Sequence, residues 1–343
     1  MPDLIVAGAG PAGLATALYA AQAGLQVVVI DPRAEADDEP IDKACGEGLM
    51  PTAVRSLGAL GVDLPGAAIR GIRYLDGTRH VDAEFRDGLG RGVRRTELHT
   101  ALRERATAVG VHIQRGSVAQ IRQDGNAVYA AGLSARYLVA ADGLHSPIRR
   151  ALRLGAVAPH RHPRWGLRQH YAMTPWTDLV EVHWSPTAEA YVTPVSAHLV
   201  GVAVLSGRRA GFADQLTSFP ALSDRLPPTA STTVRGAGPL QQRSRRRVDG
   251  RVLLVGDAAG YVDAITGEGI AVALKSAQAL VRCLLADRPQ DYEREWARVT
   301  RNYRAMTTGL LWAGRRRALR PAIVPLASAA PLLFRAAVHQ IAR

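Results

Sequence analysis

Leu4-Ile5-Val6-Ala7-Gly8-Ala9-Gly10-Pro11-Ala12-Gly13, followed by an apolar helical stretch over residues 14–24 and by Gln26-Val27-Val28-Val29-Ile30-Asp31, reads as a strand, a glycine turn, a helix and a second strand. Each part stands where a dinucleotide-binding unit needs it. Gly8 permits the tight turn, Gly10 lets the backbone approach a pyrophosphate, and Gly13 allows the helix to pack closely on the sheet. Pro11 and Ala12 sit where the amino end of that helix faces the phosphates. Asp31, 18 residues after Gly13, is close to the roughly 20 expected of a carboxylate that accepts ribose hydroxyls.

Outward from this unit, Arg94-Arg95-Thr96-Glu97-Leu98 opens a helical pattern to about residue 109, and residues 111–113 form a short strand. Residues 118–122 and 127–131 alternate as a hairpin around Asp124-Gly125-Asn126. Tyr137-Leu138-Val139-Ala140-Ala141 is a buried strand closed by Asp142-Gly143. From about Pro159 to Thr233 the chain turns rich in His, Trp, Pro and β-branched residues, with short alternating stretches, which predicts a second, sheet-based domain. Arg251-Val252-Leu253-Leu254-Val255 then returns to a buried strand ending in Gly256-Asp257, and Gly267-Glu268-Gly269 precedes a long helix from Ile270 to about Ala286. The expected organisation is a first domain over residues 1–158, an inserted sheet domain over 159–240, the first domain resumed over 241–290, and helices over 291–343.

The 343 residues suit two domains, and 47% apolar with 21% charged residues is a globular profile that excludes global disorder, a collagen-like repeat and a bundle of membrane spans. Basic residues outnumber acidic ones 43 to 30, and all but Lys43 and Lys275 are arginine. A net charge of +13 predicts attraction to anions: nucleic acid, an acidic membrane surface or a phosphorylated cofactor. The densest runs, Arg243-Ser244-Arg245-Arg246-Arg247 and Arg315-Arg316-Arg317, lack interleaved aromatics and a recognition motif, which argues against nucleic acid. Two cysteines in a chain this long indicate no disulfide framework, and with no secretory signal at Met1-Pro2-Asp3 the expected compartment is cytoplasmic. The apolar segment 321–334 is shorter than the roughly 20 residues of a span and is broken by Pro325 and Pro331. Burial against the core is its expected fate, with peripheral contact on an anionic membrane or the covering of an apolar pocket as the alternatives.

Together, Gly8 to Gly13, Arg95 at a helix start, Asp142-Gly143 after a strand and Gly256-Asp257 after another resemble the FAD-dependent superfamily of aromatic hydroxylases and geranylgeranyl reductases, over residues 1–290. The resemblance implies an α/β fold: a Rossmann-type, glutathione-reductase-like FAD-binding domain with an inserted β-sheet substrate domain and a helical carboxyl-terminal region. It implies that Asp31 holds the adenosine ribose, that Arg95 contacts the pyrophosphate region and that Asp257 bonds the ribityl chain. Asp142, in the superfamily's second fingerprint, would lie near the cofactor and its nicotinamide donor. Gly256-Asp257-Ala258-Ala259-Gly260 with Thr266-Gly267-Glu268-Gly269-Ile270 is similar to the reductase branch, where Gly267, Gly269 and Ile270 open a helix whose positive end faces the flavin. Lys43-Ala44-Cys45-Gly46-Glu47-Gly48 resembles that branch's Cys-Gly segment, placing Cys45 and Gly46 at the flavin. The branch's aromatic substrate signature appears only as Tyr191-Val192-Thr193-Pro194 with Gly201, without its Trp and Phe.

The function so implied is an FAD-dependent oxidoreductase using NAD(P)H as a transient reductant to reduce a carbon–carbon double bond of an apolar small molecule, isoprenoid or polyketide-like. Cys45, Tyr191 or water would supply the proton. The alternative is an FAD-dependent monooxygenase acting on an apolar or aromatic substrate, and a third reading is a flavin-bearing binding or sensor protein. The missing Trp-rich motif argues against a halogenase. Histidines 160, 162, 170 and 183 match no metal-site spacing, Cys283 reads as core, and neither a metal nor a protein partner is inferred.

Overall fold

The computed structural model describes residues 1–34, 39–77, 79–156 and 162–342; His160 and the boundary expected at residues 158 and 159 lie outside them. The opening unit is β1 (Leu4–Ala7), α1 (Pro11–Gln22) and β2 (Val27–Asp31). Every side chain of β1 is buried, as expected of a central parallel strand covered on both faces. The two strands pair in parallel, Leu4 against Val27, and lie within a six-stranded sheet. Its order is Val248–Asp249, Val252–Leu254, Tyr137–Ala140, β1, β2 and His112–Arg115, parallel throughout except at the first strand. Strand order therefore reverses at β1, with β2 on one side and Tyr137–Ala140 on the other, and a doubly wound sheet takes its ligand at such a point. Helix Arg95–Ala108 and helix Gly269–Leu285 both pack against α1. The hairpin read around Asp124 is present, with Ile121–Gln123 antiparallel to Val128–Ala130.

The second sheet has seven strands, ordered Arg235–Ala237, Trp165–Ala172, Leu199–Ser206, Ala188–Ser196, Leu179–Trp184, Gly71–Asp76 and Arg79–Glu84. It is not confined to residues 159–240, because Gly71–Asp76 and Arg79–Glu84 come from the stretch expected to belong wholly to the first domain. Leu179–Trp184 lies parallel to Gly71–Asp76, with Val180 opposite Ile72. Strand periodicity sorts its side chains into two cores. Tyr191, Ala203 and Leu205 join Ile72, Tyr74, Val180 and Val182 on one face, while Ala190, Val192, Val202 and Val204 pack with Phe212, Leu216 and Phe219 on the other.

After the long helix Tyr292–Arg315, the apolar segment forms two short helices, Ile323–Ala329 and Pro331–Ala342. No single helix among the described residues is long and apolar enough to cross a membrane. Arg320 fastens this region to the second sheet. Its guanidinium donates to the carbonyls of Ser185 (2.5 Å), Ala188 (2.7 Å) and Gly314 (2.9 Å), and it ion-pairs with Glu189 at 2.7 Å. Glu189, fully buried, also pairs with Arg164 at 2.5 Å, and Arg164 with Asp263 at 3.0 Å. Such a cluster costs desolvation but makes loss of any one member expensive.

Candidate functional site

Three neighbouring parallel strands deliver their carboxyl ends to one edge of the first sheet. β1 hands over to the glycine turn, Tyr137–Ala140 to Asp142-Gly143, and Val252–Leu254 to Gly256-Asp257. A cavity of about 580 Å³ opens there, its opposite wall formed by Ile72, Tyr74, Val180, Val182 and Leu205 of the second sheet. Of the residues singled out from the sequence, Gly10, Pro11, Ala12, Cys45, Gly46 and Arg95 lie on its wall, as do Asp142, Tyr191, Gly256, Asp257, Gly267, Gly269 and Ile270. Gly8, Gly13 and Asp31 stand behind it.

The three glycines of the first turn do different work. A Cβ on Gly8, whose φ is +109°, would meet the Ala141 carbonyl oxygen at 2.5 Å, and one on Gly13 would lie 1.9 Å from the Gly8 carbonyl oxygen. Both are demanded by packing. A Cβ on Gly10 would meet nothing within 4 Å, so this glycine keeps space free for a ligand. α1 has no side-chain cap, which leaves its first N–H groups open to an anion. Asp31 holds the turn from beneath: its Oδ2 accepts the Ala9 N–H at 2.8 Å and its Oδ1 the Arg33 N–H at 2.9 Å.

Two buried polar atoms on the cavity wall, Arg95 Nη1 and Asp142 Oδ1, have no hydrogen-bond partner among the described residues. An orphan of this kind costs about 1–3 kcal/mol, so a polar ligand that reaches both is favoured. Burial raises the Asp257 carboxyl above the usual range, with the charges of Lys43, Arg149 and Arg95 opposing. These donors and acceptors, with the open Gly10, fit the phosphates and hydroxyls of a dinucleotide. Arg149, overlooked in the sequence, ties two of the loops together. Its Nη1 donates to the carbonyls of Asp257 (3.2 Å) and Ala258 (2.9 Å), and its Nη2 to Leu144 O (2.8 Å) and Gln242 Oε1 (3.0 Å).

Beneath Cys45 lies a buried network that the sequence did not disclose. Glu47, at φ +58° and 3% exposed, accepts the Arg95 backbone N–H at 2.8 Å and the His170 Nε2–H at 2.6 Å. Arg168 donates to His170 Nδ1 at 3.2 Å, which leaves the ring proton on Nε2, and it also pairs with Asp42. Asp42 in turn pairs with Arg235 at 2.9 Å. A non-glycine residue in the left-handed region is strained, and here the bonds from Arg95 and His170 hold it. The Cys45 Sγ accepts the Glu47 N–H at 3.4 Å; burial and the Glu47 charge push the thiol up, so it is protonated at neutral pH. Tyr191 donates its hydroxyl to the Ile265 carbonyl at 2.7 Å, and burial holds its pKa well above the ordinary phenol value. The phenol is a latch between the two walls, with its proton already engaged.

Glu268, quoted above only as part of a helix opening, precedes helix Gly269–Leu285. Burial pushes its carboxyl up to about 7, against a hydrogen bond from Thr266 and the charge of Lys275. Thr266 lines the main cavity, while Glu268 faces a separate space of about 190 Å³ with Lys275, Asn302, Tyr303 and Gln340. Cys283 is buried in the same helix, as expected of core.

Comparison with known proteins agrees with this geometry. Menaquinone reductase of Mycobacterium tuberculosis is 34% identical over 165 residues, 44% of this chain and 40% of that protein, so the match spans less than half of that relative. Menaquinone reductase of Mycolicibacterium smegmatis is 28% identical over 86% of this chain and 79% of its own length, and rifampicin monooxygenase of Rhodococcus hoagii 34% identical over 46% and 35%. Among solved structures, a flavoprotein/dehydrogenase from Cytophaga hutchinsonii superposes with a TM-score of 0.83 at 18% identity, covering 99% of this chain and 92% of that one. The profile of the FAD binding domain family matches residues 2–288. With its glycine turn, acidic loops and open cavity at the strand ends, the chain belongs to the FAD binding domain family.

Proposed function

We propose that the chain is an FAD-dependent reductase that uses NAD(P)H to saturate a carbon–carbon double bond of an apolar small molecule, isoprenoid or polyketide-like. One observation carries this reading: a single cavity has cofactor loops on one side and, on the other, the apolar face of the seven-stranded sheet, with Ile72, Val180, Val182 and Leu205. That sheet is the substrate-bearing unit. The uncapped α1 terminus, Gly10 and Arg95 hold the pyrophosphate, Asp31 the adenosine ribose through the turn it supports, and Asp257 the ribityl hydroxyls. Asp142 and the helix opening at Gly267, Gly269 and Ile270 flank the flavin ring with Gly46. When bound, FAD supplies the two-electron transfer.

The chain's own task is to orient, exclude water and deliver a proton. Cys45 is the proton source in this reading, because its thiol is protonated and the residue lines the cavity, whereas the Tyr191 hydroxyl is committed to Ile265. Likeness to a menaquinone reductase over 86% of the chain, against 46% for the monooxygenase, favours reduction over hydroxylation. A cytoplasmic place, beside the NAD(P)H pool, belongs to the same reading. The test is product mass after anaerobic incubation of FAD-loaded protein with NADH or NADPH and a panel of polyprenyl quinones and polyprenyl ethers. A gain of two hydrogens is expected. Turnover that requires oxygen and adds one oxygen atom overturns the reading in favour of a monooxygenase.

A further inference from the structure

Beyond the cavity, segment Arg320–Ala329 and helix Pro331–Ala342 meet in a corner bent by 105°. Its inner side belongs to the core. Val324, Phe334 and Val338 are buried, the Phe334 ring lies 4.8 Å from that of Tyr74, and Ile341 lines the cavity. Its outer side is apolar without cover: Leu326, Leu332 and Leu333 are 63%, 73% and 73% exposed. They occupy successive turns about the bend, since the Ala330 N–H donates to the Leu326 carbonyl and the Leu333 N–H to the Ala330 carbonyl. Single exposed leucines are ordinary, but three gathered at one corner are not.

The charge around the corner has one sign. From residue 296 to 343 the sequence carries nine arginines and neither Asp nor Glu. Arg315, Arg316, Arg317 and Arg335 are exposed, and Arg316 stacks at 3.6 Å over the Trp312 ring, itself 54% exposed. Carboxylates met from other elements are Asp87, 3.9 Å from His339 on the inner part of the last helix, and buried Asp263, whose charge reaches Arg315. An apolar tip in a stretch of chain whose exposed charges are arginines, with an exposed Trp among them, has the chemistry of a protein surface that enters the headgroup layer. A second copy of the chain is a poor occupant, because a two-fold contact would set these arginines against their own images.

We propose that this corner docks the protein on a bilayer bearing anionic headgroups, with Leu326, Leu332 and Leu333 in the acyl boundary and Arg315, Arg316, Arg317 and Arg335 at the phosphates. Docking does not depend on the reaction proposed above, but it serves it. Residues 332 to 341 of one helix join the lipid-facing tip to the cavity wall across about 14 Å. An apolar substrate held in the bilayer is thus met one helix away from the site.

FAD-loaded protein is to be sedimented with vesicles of phosphatidylcholine alone and of equal parts phosphatidylcholine and phosphatidylglycerol. Partition is expected into the anionic vesicles, weakening as salt is raised. Replacing Leu332 and Leu333 together by Ser lowers that partition about tenfold or more while flavin content and melting temperature stay at the parent values. Replacing Arg315, Arg316 and Arg317 by Ser abolishes the preference for anionic lipid. The proposal is overturned if neither vesicle takes up protein, if the leucine variant partitions as the parent does, or if sedimentation velocity finds a dimer that the leucine variant dissolves. The vesicles contain no substrate, so a failure here leaves the reductase reading standing, and failed turnover with intact partition leaves docking standing.

Discussion

Replacing Glu268 by Gln makes the protein more stable, and increasingly so as pH rises. Glu268 is 9% exposed, its Oε2 has no hydrogen-bond partner among the described residues, and burial lifts its carboxyl from 4.5 to about 7. The folded value lies above the unfolded one, so the fold holds the extra proton and favours the neutral acid. The penalty for the charge is absent below about 4.5, grows through the interval, and is complete above about 7. A shift of this size corresponds to about 3 kcal/mol. Gln has the same shape, is always neutral, and keeps an acceptor for Thr266. Denaturant unfolding of both proteins, saturated with FAD and followed at pH 5, 6, 7 and 8, isolates the residue by difference. Gln should gain about 2 to 3 kcal/mol relative to Glu between the lowest and highest pH, since part of the penalty is already present at pH 5. A difference that stays flat across that interval refutes the claim that the fold keeps this carboxyl neutral.

The other expectations concern the cofactor and the thiol. Gly10→Val should fold normally yet retain no FAD, since its side chain enters free space that the pyrophosphate needs, whereas Gly13→Ala, with a Cβ 1.9 Å from the Gly8 carbonyl oxygen, should fail to fold; circular dichroism and flavin absorbance separate the two. Asp257→Ala should weaken FAD about tenfold to hundredfold, the loss of one charge-assisted bond, in titrations of apoprotein; unchanged affinity would remove Asp257 from the cofactor site. Cys45→Ser and Cys45→Ala should preserve flavin reduction by NAD(P)H and slow the anaerobic reoxidation of flavin by substrate. Because burial and Glu47 raise the thiol, the parent rate should hold through neutral pH and fall only above the ordinary thiol value of about 8.5. An unchanged rate in both variants would leave water as the proton source.

The cofactor edge was legible because its chemistry is local. Gly8, Gly10 and Gly13 declare a turn and a close approach within six residues, and an apolar run such as Tyr137–Ala140 can hardly be anything but a covered strand. The network under Cys45 was not legible, since it joins Glu47 to His170 and Asp42 to Arg168 across more than a hundred residues. Arg168 and His170 lie two apart on one strand, and nothing local in their sequence announces the distant partners that bury them. Strands Gly71–Asp76 and Arg79–Glu84 were missed for a similar reason: their alternation was visible, but the sheet that would receive them was encoded far downstream. The segment 321–334 divided, with Val324 and Phe334 inside as expected and Leu326, Leu332 and Leu333 outside.

The parallel pairing of Leu179–Trp184 with Gly71–Asp76 has a consequence for any exchange of the second sheet with that of another protein. The apolar wall is not one cassette in the gene. It is two, residues 71–84 and 165–237, separated by the coding sequence for a cofactor loop and a core strand. A graft of the later block alone would leave Leu179–Trp184 as a bare edge beside a foreign partner, and would sever the contacts of Arg168 and His170 with residues 42–47. Chimeras should therefore carry both blocks together, with the Cys45 segment matched to the incoming sheet.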